Sequence, residues 1–527
     1  MDEGQDFTSA VDVLIVGSGP VGSTFARQLS EQAPHVKILM VDLGPQLTER
    51  PGMNAKNIAD YDEQVRAQVR SQGPADYPYV PLVEGKADAG PMSGPAGPFG
   101  SARPGTHLVT PDTETRADVE MPAAAMSSNV GGMGVHWTGA CPTPARTECP
   151  PFIPDAEMDA ALVRARELLS VTQEAYPELA QSRAILRKLG EVFDVRLPEG
   201  RKVQPMPLAA RVMPDGTRCW TGADTVLGPL AEPGRQNTDR FELRPDTICK
   251  RLLTEGDRVT GALLQHRPSG REQAVGARAV VVAADTLRTP QALWASGIRP
   301  RALGHYLNEH PLVMCAVELQ PGFGADADSD SSAEARPVAL STHDPTVGVF
   351  WIPYSYPQHP YHAQVMFLDL TPVPADGSAP PERKYIVGMG YSGPKESRYQ
   401  DRVEFSETET DFFGMPKMTI HFGLSERDRA MLEGAKRVQL KAASALGTPS
   451  EQTHVPAGSS LHYLGTVRMG AEDDGTSVCD SYSRVWGFQN LFVGGNGVIP
   501  TELSCNPTLT SVALAVRASE CVASLFE

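Results

Sequence analysis

The chain has 527 residues, 41% of them apolar and 21% charged, and a formal net charge of −17. That is material for a sizeable core and two or three domains, and an acidic balance without a dense Lys/Arg run speaks against nucleic acid or an anionic membrane surface as partner. The opening Met1-Asp2-Glu3-Gly4-Gln5-Asp6 carries no apolar signal region, no run of 18 apolar residues follows, and the eight cysteines show no CxxC pair or other metal spacing, so a cytoplasmic protein with reduced, structural thiols, no metal site and no membrane partner is expected.

Asp12-Val13-Leu14-Ile15-Val16 is a short apolar run that stops at glycines, the pattern of a buried parallel strand. In Gly17-Ser18-Gly19-Pro20-Val21-Gly22, Gly17 permits a tight turn, Gly19 lets a pyrophosphate approach the backbone, and Gly22 lets the next helix pack on the strand. The free N–H groups of that helix then face the phosphates. Lys37-Ile38-Leu39-Met40-Val41 predicts a second strand ending at Asp42, about 20 residues beyond Gly22, where a ribose-binding acid belongs. Together these features point to a bound dinucleotide. The alternative is a glycine turn that binds nothing, with Asp42 capping a strand end.

Further along, 54–70 is polar and predicted helical, and 71–106 turns to Gly, Pro, Ala and Ser, as expected of an insertion or lid. Gly131-Gly132-Met133-Gly134-Val135-His136-Trp137-Thr138 is either a glycine-rich turn carrying a packed His-Trp pair or a contact with a cofactor ring. Apolar spacing predicts helices within 155–200. A hairpin is predicted to turn at Glu255-Gly256-Asp257, and Ala279-Val280-Val281-Val282 predicts a buried strand, with Pro290 in the first turn of the helix that follows. The cofactor-binding layer therefore resumes late and is discontinuous in sequence. Strand-like runs fill 311–455, interrupted by the acidic, serine-rich loop 325–332, and an aromatic stretch at 354–362 could line a sugar pocket. Near the end, His462 precedes the apolar run Asn490-Leu491-Phe492-Val493, and Asn506-Pro507-Thr508 opens a helix. Asn506 suits an N-cap, and His462 suits a buried, satisfied histidine, as well as either suits a site.

Together these motifs resemble the glucose-methanol-choline (GMC) oxidoreductases, and within them the pyranose oxidases and bacterial glycoside oxidases. The resemblance rests on the first strand and its glycines, on 131–138, on Leu303-Gly304-His305-Tyr306-Leu307-Asn308-Glu309-His310-Pro311, on 461–470 and on the stretch from Ser483 to Thr508. It implies an α/β fold: a Rossmann-like FAD-binding domain (1–150, 240–310 and 456–527) beside an α+β substrate domain (151–239 and 311–455) built on an antiparallel sheet. It implies FAD held by Gly17, Gly19, Gly22, Asp42, Gly132, His136, Trp137, Thr138, Asn496, Asn506 and Thr508. His462 falls on the catalytic histidine and Asn506 on its partner. His136 falls on a histidine that pyranose oxidases join to the flavin, but Val135 and Gly134 depart from their pattern, so non-covalent binding is expected.

Gln364 matches a substrate residue and Tyr361 is a further candidate, but the charged sugar loop of the fungal enzymes is missing. The implied activity is oxidation of a ring secondary hydroxyl of a small-molecule sugar or glycoside, at C3 of a C- or O-glycoside before C2 of a free pyranose, with O2 reduced to H2O2. A dehydrogenase using a quinone-type acceptor and a catalytically silent flavoprotein are the alternatives.

Overall fold

The computed structural model describes residues 7–60, 62–64, 106–108, 121, 123–324, 345–371 and 383–527. Nearly all of the 71–106 stretch and the 325–332 loop lie outside the described residues. Of the helix expected over 54–70, the described part is a single 3-10 turn, Ala55–Asn57, followed by a bend and a short helical piece at 62–64.

The first layer is a sheet with β1 (Ser9–Val16), β2 (Ile38–Val41), β3 (Phe241–Arg244), β4 (Thr247–Glu255), β5 (Arg258–His266) and β6 (Arg271–Val282), in the order β4-β5-β6-β1-β2-β3. β6, β1, β2 and β3 run parallel, and the hairpin β4-β5 adds on antiparallel. The short strand Leu491–Val493 pairs in parallel with the end of β6. Residues 211 positions apart (491 − 280) thus pair in one sheet, because a parallel neighbour must arrive by a crossover rather than a turn. Val13, Leu14 and Ile15 are fully buried, each worth about 1.5–3 kcal/mol.

The long helices are α1 (Pro20–Gln32), α2 (Asp155–Leu169), α3 (Ala180–Phe193), α4 (Asp285–Ala295), α5 (Glu426–Leu446) and α6 (Thr508–Ala523). α6 packs on α1 and α2. α2, which the sequence assigns to the second unit, shares the core of the first sheet through Met158, Ala161, Leu162 and Leu169. The stretch Thr508–Phe526 is apolar and long enough to cross a membrane, but 72% of its apolar window is buried inside the fold.

The second layer is antiparallel. β7 (Leu312–Glu318), β8 (Thr346–Ile352), β9 (His362–Asp369) and β10 (Tyr385–Ser392) lie in the order β7-β10-β9-β8, edged by Thr453–His454 and Gln204–Pro205. One face packs on α3 and α5 through Ala363, Val365 and Phe367. Trp351, Met366 and Leu368 look the other way, as alternation along a strand requires. A separate hairpin, β11 (Arg402–Thr410) and β12 (Pro416–His421), packs on α4.

Pro290 sits inside α4, not in its first turn. A proline there has no N–H for the carbonyl four residues back, that of Thr286. The Thr466 hydroxyl donates to that carbonyl instead, and so ties the C-terminal segment to the first turn of α4.

Candidate active site

The turn after β1 is built as its glycines demand. Gly17 has φ +103°, and a Cβ there would lie 2.3 Å from the Ala283 carbonyl oxygen. Gly22 would place a Cβ 1.9 Å from the Gly17 oxygen. Its role is to seat α1 on β1, and it does not line the cavity above. Asp42 accepts from the Ser18 amide (3.1 Å), the Ser18 hydroxyl (2.6 Å) and the Gly44 amide (3.0 Å). The Gly131 amide in turn donates to Ser18 Oγ (2.8 Å), which clamps the second glycine loop to the first.

In that second loop Gly131 and Gly132 have φ +94° and +51°, and Gly132–Val135 forms a 3-10 turn. His136 Nε2 pairs with Ser127 Oγ at 2.8 Å, and Trp137 Nε1 donates to the Thr221 carbonyl (2.7 Å). The guanidinium of Arg288, from α4, donates to the Ser127 carbonyl and to Ser128 Oγ.

One cavity collects these parts. Gly17, Gly19, Asp42, Gly132, His136, Trp137, Thr138, Asn496, Asn506, Thr508 and His462 all line it. It runs from Asp42, Thr247, Cys249 and Arg288 at one end to His462 and Asn506 at the other. Phe413, at the tip of the β11-β12 hairpin, lines the Arg288 end, with the guanidinium groups of Arg267 and Arg288 4.8 and 5.2 Å from its ring centre. Helices α1 and α6 open onto the cavity at Pro20 and Thr508, so two positive helix ends face it. A Cβ on Gly19 would meet nothing nearer than 3.9 Å, and one on Gly495 nothing within 4 Å. Backbone is thus laid open to the cavity where an extended phosphate-bearing cofactor would lie against it.

At the other end, His462 Nε2 lies 3.3 Å from Asn506 Nδ2, and His462 Nδ1 lies 3.0 Å from His310 Nδ1. Leu461 before it has φ +59°, a conformation that costs a non-glycine residue of order 1 kcal/mol. The Ser460 hydroxyl accepts from the His462 amide (3.1 Å), while Ser460 donates through both N–H and O–H to buried Glu309. The loop that bears Asn506 is held by Ser504, whose N–H and O–H both donate to buried Glu148. Asn506 is therefore not the cap of α6: that helix begins at Thr508 without a side-chain cap, behind Pro507.

Sequence profiles of the GMC oxidoreductase family match residues 152–312 and 400–515. The chain is 42% identical over 520 residues to a C-glycoside 3-oxidase of Microbacterium trichothecenolyticum, covering 98% of this chain and 97% of that protein. The chain belongs to the GMC oxidoreductase family. A pyranose 2-oxidase of Tricholoma matsutake is 31% identical over 557 residues, covering 97% of this chain and 93% of that protein. A formate oxidase variant of Aspergillus oryzae RIB40 shares the fold alone, with a TM-score of 0.64, 16% identity and 99% of each chain covered.

Within this GMC fold the two substrate candidates part company. Gln364 lies opposite Trp351 in the β8-β9 register, on the face of the sheet away from α3 and α5. Tyr361 packs the other way, with its hydroxyl close against Gly434 of α5. Neither is among the residues lining the cavity. Sequence reasoning missed His310, Glu309 and Ser460. His310 sits within the quoted 303–311 motif, but nothing in its spacing ties it to a histidine 152 positions away.

Burial sets the charge states here. It pushes His310 and His359 down to about 4 and His362 to about 3, and it pushes Glu309 up to about 7. The sign follows from proton uptake. Below pH 6.5 the unfolded chain protonates imidazoles that the native fold keeps neutral, so each of the three removes stability as pH falls toward 4, about 3 kcal/mol apiece. Glu309 works oppositely between pH 4.5 and 7, holding a proton that the unfolded chain releases, and Asp42, Glu148 and Asp285, which burial also pushes up, act in the same direction. Replacing His359, which lies outside the cavity, by Gln is therefore expected to cost less melting temperature relative to the native protein at pH 4.5 than at pH 6.5. A cost that does not shrink over that window would refute the burial of this ring as a neutral group.

Proposed function

We propose that this GMC oxidoreductase is an FAD-dependent oxidase of a glycoside. It oxidises a ring secondary hydroxyl to a ketone, C3 of a C- or O-glycoside before C2 of a free pyranose. The observation that carries the reading is the His462–Asn506 pair at one end of a cavity whose glycines, helix ends and buried acid suit a dinucleotide. The 42% identity to a C-glycoside 3-oxidase over nearly the whole chain favours C3.

When bound, FAD would supply the acceptor for the hydride leaving the carbinol carbon and the route by which those electrons reach dioxygen. The chain's own residues handle the proton and the pose. His310 is a neutral ring near pH 7, so its Nδ1 can accept the proton that His462 carries on Nδ1. That tautomer leaves the lone pair of His462 on Nε2, facing Asn506 and the substrate hydroxyl. His462 Nε2 takes the hydroxyl proton, and the Asn506 amide holds the same oxygen so that the C–H bond stays aimed.

The cofactor-binding unit comprises 1–150, 240–310 and 456–527, joined by α2 through its packing. The substrate unit takes the rest of 151–239 together with 311–455. Gln364 belongs to the sugar side of that unit; Tyr361, turned onto α5, does not.

Anaerobic mixing of the FAD-loaded protein with free sugars, O-glycosides and C-glycosides tests the reading, with product NMR to locate the ketone. Bleaching is expected with glycosides and a carbonyl at C3. No bleaching by any pyranose or glycoside would end it. Denaturing the same protein should release the flavin, since Gly134 and Val135 depart from the pattern around the histidine that pyranose oxidases join to it. Comparing turnover with O2 and with benzoquinone separates the oxidase from the dehydrogenase.

A further inference from the structure

An amide rotated by half a turn would offer Asn506 oxygen where it now offers N–H, so something must hold its orientation. Trp351 and His362 lie on one face of the β8-β9 pair: Trp351 is opposite Gln364, which makes His362 its diagonal neighbour. Trp351 Nε1 donates to His362 Nδ1 at 3.1 Å, in a buried contact. An indole N–H can only donate, which makes Nδ1 an acceptor.

His362 is neutral because burial pushes it down to about 3, with His310, Arg201 and His359 adding repulsion of the same sign. Arg201 lies 5.0 Å over the Trp351 ring and is itself tied to the Tyr354 and Thr143 carbonyls. A neutral imidazole has one N–H, and with Nδ1 accepting, that proton sits on Nε2. The Asn506 side chain lies close enough to His362 to bear on its charge, and Asn506 Oδ1 is buried without a hydrogen-bond partner in the structure. A buried acceptor left unmade is costly, and the His362 Nε2–H is a donor that Asn506 Oδ1 can take.

The geometry points to Trp351 and His362 as a positioning pair for Asn506. The indole N–H sets the imidazole tautomer, His362 Nε2–H holds Asn506 Oδ1, and the amide is left to aim Nδ2 at His462 Nε2 and the substrate oxygen. The substrate clause rests on the proposed function; the hydrogen-bond order does not.

Trp351→Phe keeps an aromatic ring at this buried position but removes the donor together with the pyrrole half of the indole, so His362→Gln and His362→Leu separate lost hydrogen bonding from lost packing. With a glycoside that bleaches the native flavin, its limiting reduction rate is expected to fall about 10- to 10²-fold. Half-saturation should move less than about twofold, the signature of an interaction used only in the transition state. Added to Asn506→Ala, the same substitution should cost less than about twofold more, because both act through one amide. His362→Gln, which can accept from Trp351 and donate to Asn506, should keep most of the rate, whereas His362→Leu should not.

A loss from Trp351→Phe that persists undiminished in the Asn506→Ala background would overturn the pairing. Nitrogen-15 NMR of the imidazoles, assigned by difference with His362→Gln, decides the tautomer without any substrate. Nε2 protonation at pH 7 that is lost or mixed in Trp351→Phe is expected. A native His362 protonated on Nδ1 refutes the order of bonds even where sugars are oxidised. If no sugar bleaches the native protein, the functional reading fails and the NMR result still decides the pairing.

Discussion

His462→Ala is expected to slow reduction of the bound flavin by a factor of about 10² or more, at unchanged flavin content. The imidazole lines the cavity and faces Asn506, with its second nitrogen engaged by His310. Removing it leaves the hydroxyl proton without a positioned acceptor, a loss of at least about 2.7 kcal/mol of barrier lowering, since each tenfold is about 1.36 kcal/mol. Alanine removes no bond that the backbone needs, because Ser460 Oγ holds the amide of residue 462 and not its ring. The measurement is stopped-flow bleaching across pH. A rate within about threefold of native, at any pH where the native protein reacts, would remove His462 from the role of base.

Gly17→Ala is expected to yield protein without flavin, or no folded protein. The added methyl would sit 2.3 Å from the Ala283 oxygen and 2.7 Å from its carbonyl carbon, in a residue already at φ +103°. Both objections are to backbone, which cannot rotate aside as a side chain does. Backbone strain of this kind costs of order 1–3 kcal/mol before the clash is counted, and relief requires β1 and β6 to separate where they are hydrogen-bonded in register at Val16 and Val282. Gly256→Ala serves as the control. It also has positive φ, +58°, but a Cβ there meets nothing within 4 Å, so it should lose only a little stability and no flavin. A yellow Gly17→Ala protein with the native melting temperature would show that the turn does not need its glycine.

Much of the first layer was legible as a string. An apolar run ended by glycines, a helix after the glycine turn and an acid at 42 are local signals, and local signals are what short-range backbone sterics and burial produce. The hairpin at 255–257, the strand ending at Val282 and the two helices within 155–200 stand as read. Where local rules conflicted with packing, packing decided. Pro290 lies inside a helix because Thr466 replaces the donor that the proline lacks. Asn506 gave up the cap position it suits and took a place beside His462.

The sequence by itself determined the dinucleotide turn, the alternation of apolar strands and helices, and the family, since these depend on residue types at fixed short spacings. Only the tertiary structure decided which distant side chains share a hydrogen bond. His310 with His462, Ser18 with Gly131, Glu148 with Ser504 and Trp351 with His362 are set by sheet register and crossover packing. Such pairs leave no periodic trace along the chain, because a hydrogen bond depends on distance and angle in space and is blind to the number of residues between its ends.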